Sequence, residues 1–118
     1  IREAVHVIAG TGFVTERACT IAGHQYYLLG HLGSYPSGVI MEPYMICLTD
    51  KSDVFPTFQH DGIELLYMLE GAVDYRHGDK TFPLRPGDSF LFDAVAPHGP
   101  EALIELPARF LSIICYPQ

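Results

Sequence analysis

Short runs rich in Val, Ile, Leu, Tyr and Phe alternate along the chain with Gly and Pro at close, even intervals. Apolar runs bounded by turn formers are the signature of β-strands. The pattern predicts strands over Val5 to Ala9, Gln25 to Leu32, Val39 to Thr49, Phe55 to His60, Glu64 to Leu69, Ala72 to His77, Thr81 to Leu84, Ser89 to Phe92 and Ala108 to Tyr116. A helix requires apolar residues at i, i+3, i+4 and i+7 over a Pro-free stretch, and only Glu16 to Ala22 offers even a weak case. The architecture is therefore all-β. Glu70-Gly71 and Gly78-Asp79 carry turn chemistry around a hairpin. Arg85-Pro86-Gly87-Asp88 places Pro before Gly, as a type II turn prefers, with Asp88 capping the turn. Thr11 to Gly23 and Gly33 to Gly38 read as loops. Tyr67-Met68-Leu69 and Phe90-Leu91-Phe92 are apolar on both faces, which predicts sheets covered on both sides, by a second sheet and by a partner subunit. Meanders of such strands close into sandwiches, barrels or jelly rolls.

Composition narrows the function classes. At 118 residues one domain is expected, and 48% hydrophobic with 18% charged residues excludes intrinsic disorder. Seven Lys and Arg are scattered among 14 Asp and Glu, for a net charge of −7, whereas a phosphate backbone is gripped by clustered cations. Direct nucleic-acid binding by this chain is excluded on that ground. Cys19, Cys47 and Cys115 are odd in number and widely spaced, which reads as three reduced, buried thiols. No run has the length of a membrane span and nothing at the start has the form of a signal peptide. A cytoplasmic protein without a membrane partner is expected. The first residue is Ile1 rather than Met, from which removal of something upstream is expected, either a processed residue or a whole domain.

Candidate chemistry lies near the centre. Period-2 geometry puts Phe58 with His60, and Glu64 with Leu66, on a common face, with a turn at Asp61-Gly62 between them. If that face is a barrel interior, an imidazole and a carboxylate are held in an apolar cavity, and such groups are seldom buried unless paired or metal-bound. His98, after Ala96-Pro97, supplies a second imidazole. Two His and one carboxylate on converging strands form a facial triad, which suits non-haem iron and, with changes in geometry, zinc, nickel or manganese.

At these residues the chain resembles the cupin family, small β-barrels built on two short motifs. Phe58, His60, Glu64 and Gly71 fall on the first motif's frame, with three residues between His60 and Glu64 and six between Glu64 and Gly71. Gly87, Asp93, Val95, His98 and Ala102 fall on the second. The resemblance implies a single cupin barrel, a double-stranded β-helix or jelly roll, over residues 1–118, with an N-terminal arm and first strand in 1–24 and the barrel in 25–118. Four metal ligands are usual in the family. Phe58 stands where the first ligating His belongs, leaving His60, Glu64 and His98. Asp93, Val95 and Ala102 replace the second motif's Pro, Gly and Asn, and Ser52 the first motif's leading Gly. Two arrangements stay open: one divalent metal (Zn, Ni, Fe or Mn) on these three ligands, or a metal-free pocket in which Glu64 accepts hydrogen bonds from one or both His.

A narrower resemblance rests on MEPYMICLTD (Met41 to Asp50), FQHDGIELLYMLEG (Phe58 to Gly71) and LRPGDSFLFDAVAPHG (Leu84 to Gly99). These strings are similar to the C-terminal sensor domain of XRE-type helix-turn-helix regulators. The resemblance implies a homodimeric, non-catalytic effector-sensing domain of a bacterial transcriptional regulator. It would bind a small polar metabolite among Phe58, His60, Glu64 and His98, and would meet DNA only through an upstream domain that this chain does not contain. The alternative is a small metal-dependent cupin enzyme, an oxygenase or isomerase, and a third reading is a structural interaction domain with a filled cavity. Tyr26, Tyr27, Tyr44 and Tyr67 are expected as wall, core or interface residues, Arg109 in a surface ion pair, and His6, His24, His31 and His77 facing solvent.

Overall fold

The computed structural model describes residues 2–9, 24–50 and 57–118. Among the described residues six strands build one antiparallel sheet: β1 (His24–Leu28), β2 (Val39–Leu48), β3 (Ile63–His77), β4 (Lys80–Leu84), β5 (Ser89–Asp93) and β6 (His98–Pro117). Their order is β1-β2-β6-β3-β4, with β5 also on β3. β5 pairs with the first half of β3, from Ile63↔Asp93 to Tyr67↔Ser89, and β4 with the second, from Val73↔Leu84 to His77↔Lys80. β6 runs along the opposite edge of β3 and carries β2 on its far side.

The all-β expectation holds, but the closed barrel does not. A barrel requires its outermost strands to be hydrogen-bonded to each other. Among the described residues β1 pairs only with β2 and β4 only with β3, so the sheet stays open. Irregularities in β3 and β6, the longest strands, supply the local bending and twist that bulges give a sheet. The β3–β6 register shifts between Met68 and Glu70, Glu70 and Ala72, Ala72 and Val73, and Asp74 and Tyr75. Gly71 sits at the centre of these shifts with φ +76°. A Cβ there would lie 2.6 Å from the Glu105 carbonyl oxygen and against that of Pro107, so only glycine fits.

The bulge also changes which side chains face inward. Before it, Glu64, Leu66 and Met68 are buried while Ile63 and Tyr67 are exposed; after it, Val73 and Tyr75 are buried. Inward parity moves from even to odd positions, bringing Tyr75 onto the same side as Glu64. Leu48, Leu66, Met68, Val73 and Phe110 belong to the core beneath this curve.

Several element limits differ from the expectation. Glu64 to Leu69 and Ala72 to His77 are one strand, because Glu70-Gly71 is a bulge and not a turn. β6 begins ten residues before Ala108. Gly99, Pro100 and Pro107 suggest breaks in the sequence, yet between Glu70↔Arg109 and Ala72↔Glu105 the single residue Gly71 faces Leu106, Pro107 and Ala108. In such a bulge Pro107 owes the ladder no N–H. Of Phe55 to His60 only Phe58 pairs, as a single bridge to His98, and 55–56 lie outside the described residues. Val5 to Ala9 forms no strand; the arm is held where Glu3 Oε1 accepts from the Gly33 amide at 2.9 Å. Glu16 to Ala22 and the whole loop expected over Thr11 to Gly23 fall outside the described residues. Two turns are as expected: Gly78-Asp79 closes the β3–β4 hairpin, and Asp88 Oδ2 accepts from the Arg85 amide at 2.8 Å.

The expectation of three reduced thiols is corrected. Cys47 is disulfide-bonded and Cys115 is a free, half-buried thiol. Wide spacing in sequence says nothing of proximity in the fold. Among the described residues no helix is long and apolar enough to cross a membrane.

Candidate metal centre

Glu64 is the second residue of β3, at the inward parity, and is 5% exposed. His98 opens β6 and is 1% exposed. Its backbone is clamped to Phe58 by two hydrogen bonds, Phe58 N–H to His98 O at 2.7 Å and His98 N–H to Phe58 O at 2.9 Å. That clamp carries the segment after Phe58 across the sheet and brings in His60, whose amide donates to Ala94 O at 3.0 Å. Gly62, at φ +99°, turns the chain from His60 into β3 where a Cβ would strike the Cys115 carbonyl and lie 2.8 Å from Tyr116 Cβ. Candidate ligand atoms of His60, Glu64 and His98 lie within 4.8 Å of one another.

The hydrogen bonds fix what these groups present to each other. Ala96 O and Asp61 O can only accept, so His98 Nδ1 donates to the first at 2.9 Å and His60 Nδ1 to the second at 3.1 Å. Both Nε2 atoms then point at one carboxylate oxygen, Glu64 Oε1, at 3.2 Å from His60 and 3.3 Å from His98. The other oxygen, Oε2, accepts from Ser112 Oγ at 2.8 Å. A neutral imidazole with its proton on Nδ1 aims a lone pair at the carboxylate, which is repulsive unless a cation lies between them. Either a proton or a metal ion relieves it. The two nitrogens and one oxygen suit a divalent transition metal, and Ala96 O, Asp61 O and Ser112 are the outer partners that orient such ligands. The residues present therefore fit one divalent transition metal ion.

Without metal, protons take that role. Burial pushes the Glu64 carboxyl up, but hydrogen bonds from His98 and Ser112 and the charges of His98 and His60 outweigh it and hold it below its ordinary value. Burial pushes the His98 imidazole down, while the Glu64 hydrogen bond, the Ala96 carbonyl and the Glu64 charge raise it above its ordinary value.

Above the triad lies a cavity of about 490 Å³, walled by β1, β2, β3 and β6. The described residues do not show the filled interior that a purely structural domain would have. Phe58 takes a place in the wall, its ring 6.3 Å from that of His98, and contributes no donor. Tyr26, Tyr44 and Tyr75 line the same space, whereas Tyr27 is in the core and Tyr67 is exposed. Arg109 lies apart, paired with Glu70 at 3.4 Å, as expected of it.

Four wall or site residues escape the sequence reading. Ser112 is the lone polar residue in the run Phe110 to Ile114, a signal that could have found it. Tyr75 needs the Gly71 bulge to face inward and has no such signal. His24, expected in solvent, is half-buried in the cavity wall, and Pro100 lines it too. His77, also expected in solvent, donates to Asp93 O at 2.8 Å and packs 5.2 Å from the Phe92 ring, while His6 and His31 are exposed.

The cupin domain family matches residues 45–114, more than half of the chain. No curated protein sequence matches it. Among solved structures, KdgF from Halomonas sp. is 19% identical with a TM-score of 0.63, covering 84% of each chain. Co(II) HppE in complex with substrate is 26% identical with a TM-score of 0.63, over 78% of this chain and 52% of that one. An HTH_3 family transcriptional regulator from Vibrio cholerae is 23% identical with a TM-score of 0.63, over 81% of this chain and 52% of that one.

The expected effector-sensing regulator domain, and with it the non-catalytic role and the assignment to transcription regulation, does not survive these findings. Likeness to the regulator at 23% identity carries the fold alone. The donors of His60, Glu64 and His98 converge as metal ligands do, and the likeness at 26% is to a protein that holds Co(II) and substrate. What the regulator resemblance shared with this chain was the frame of the fold, and the family match agrees on that frame: the chain belongs to the cupin domain family.

Proposed function

We propose that this protein is a small metal-dependent cupin enzyme, an oxygenase or isomerase, acting on a small molecule in the cavity above His60, Glu64 and His98. One observation carries the reading: both Nε2 atoms and Glu64 Oε1 converge while the Nδ1 protons are tied to carbonyls on the far side of each ring. The Co(II) form of HppE, 26% identical, supports it as a similar protein. A divalent metal held by these three residues supplies a Lewis acid, or a redox centre if it is iron, to a coordinated substrate. The remaining steps belong to the chain. Ser112 holds Glu64 Oε2 and so turns Oε1 toward the ligand position. Tyr75 is 4% exposed, and burial with the nearby Glu64 charge raises its phenol, so it stays protonated and offers a hydrogen bond to a substrate oxygen. The cavity of about 490 Å³ lies within the usual range for small-molecule sites.

The test is metal content and turnover. Protein purified without chelator and reconstituted anaerobically with Fe(II), Mn(II), Ni(II) or Zn(II) takes up one ion per chain. His60→Ala and His98→Ala lose it, and substrate-dependent oxygen uptake or isomerisation goes with it. Failure of all four ions to bind stoichiometrically overturns the reading.

A further inference from the structure

Resting on the enzyme reading above, we propose that the cavity takes a predominantly apolar molecule about the size of a substituted phenol, with no anionic group on the part that lies against the walls. The walls are built for such a body. Five rings, of Tyr26, Tyr44, Phe58, Tyr75 and Phe110, face it together with aliphatic side chains of β2 and β6.

Among the described residues no Lys or Arg lines the cavity. Three arginines are engaged elsewhere: Arg76 donates to Gly78 O at 2.8 Å, Arg85 to Leu84 O at 3.3 Å, and Arg109 pairs with Glu70. A carboxylate or phosphate moved from water into an apolar space needs a cation or several N–H donors in compensation, and this wall offers neither.

The acids on this side of the sheet act in the same direction. Glu64 lies at the floor. Glu42 follows Tyr44 at the next position of the same strand face, and its two oxygens accept from Tyr44 at 3.0 Å and Tyr116 at 2.6 Å. Because the Tyr44 hydrogen is committed to Glu42, its oxygen can only accept from a ligand. Burial and Glu42 push that phenol up to about 12, so it stays protonated. Ser112 is likewise committed, to Glu64. The Tyr26 and Tyr75 phenols are left as wall donors, enough for neutral oxygens and, carrying no positive charge, too little for an anionic group. His24 adds an imidazole. The class differs from the small polar metabolite expected from the sequence.

Two probes with the same ring and the same phenol oxygen test this: 4-ethylphenol and 4-hydroxyphenylacetate, which differ in the carboxylate of the tail. Binding is measured by calorimetry on the full chain, metal-free and Zn(II)-loaded, at about pH 8, where an ordinary imidazole is neutral. The metal-free protein tests the walls alone, because a bound Zn(II) can itself take the carboxylate; there 4-ethylphenol is expected to bind at least about tenfold more tightly, and Zn(II) is expected to narrow the ratio. Tyr26→Lys, a change at a position 48% exposed, introduces a cation and narrows or reverses the ratio in the metal-free form. Equal or tighter binding of the acid by the metal-free unmodified protein, or no binding of either probe at millimolar concentration, overturns the proposal. If Zn(II) fails to bind while the preference persists in the metal-free protein, the metal reading falls and the ligand class stands. If Zn(II) binds and the metal-free protein prefers the acid, the reverse holds.

Discussion

Replacing Glu64 with Gln removes one negative charge while keeping the shape of the side chain, and in the metal-free protein its effect is predicted to depend on pH. The Glu64 carboxyl is held below its ordinary 4.5, so its contribution to stability is present above that value and is lost as pH falls through the folded-state value. The His98 imidazole is held above its ordinary 6.5, so its contribution is complete below 6.5 and is lost as pH rises through the folded-state value. Both are present together between 4.5 and 6.5. In that window Glu64→Gln leaves His98, 1% exposed, charged and without its counter-ion. Breaking a buried pair in this way costs about 3–5 kcal/mol. The lower end applies, because the His60 side chain is 32% exposed and its share is screened. About 3 kcal/mol corresponds to a fall in Tm of roughly 10–15 °C at this chain length. At high pH the imidazole is neutral and a Gln N–H can donate to its Nε2 lone pair, so the loss shrinks. Urea unfolding of EDTA-treated protein and variant, followed by circular dichroism at about pH 5.5 and pH 8.5, measures both arms. An equal loss at the two pH values, or none at the lower one, refutes the assignment of a charged buried pair.

Three further outcomes follow from the same structure. Ser112→Ala leaves Glu64 Oε2 without its 2.8 Å donor; a loss of about 1–3 kcal/mol in the metal-free protein and a fall of roughly 10–100-fold in metal affinity are expected, read by unfolding and by competition with a chelating dye. Gly71→Ala forces a Cβ against the carbonyls of Glu105 and Pro107 at φ +76°, and is expected to cost more than about 1–2 kcal/mol or to abolish folding; a variant with unchanged Tm would show that the β3–β6 crossing is looser than described. On the outer side of the sheet, register aligns Met41, Cys115 and Ile63 in one row and Met45, Leu111 and Tyr67 in another, with Leu91 67% exposed beside them. Self-association through this face predicts a homodimer by sedimentation at micromolar concentration that Leu91→Glu disrupts, and a clean monomer of the unmodified protein would refute it.

The strand rhythm was legible where strands are short, as in β1, β4 and β5, and where the even parity from Glu64 to Met68 is unbroken. Legibility ended where that parity ended. Nothing local in Glu70-Gly71-Ala72 distinguishes a turn from a bulge, since both call on glycine at positive φ; only the opposing residues of β6 decide between them. From that one ambiguity came the division of β3 and the failure to place Tyr75 inside; the late start expected for β6 came from Gly99, Pro100 and Pro107. Closure of the sheet was equally out of reach. Alternation within strands says which residues face inward, whereas closure depends on whether the outermost strands meet.

The same distinction separates the regulator from the enzyme. Phe58, His60, Glu64 and His98 have the spacing of the cupin frame in either case, so counting ligands could not choose between an effector pocket and a metal centre. The choice turns on which nitrogen of each imidazole faces inward, and that depends on the carbonyls of Asp61 and Ala96, each one or two residues from the His it orients. Those carbonyls belong to backbone that any residue could supply. Only when the turn at Gly62 and the clamp between Phe58 and His98 set their direction does the motif acquire a common focus at Glu64 Oε1. The loss of a fourth ligand at Phe58 then ceases to argue against metal. The three ligands that remain are the ones whose orientation the backbone controls, and the position of the fourth has become a wall of the cavity that would hold the substrate.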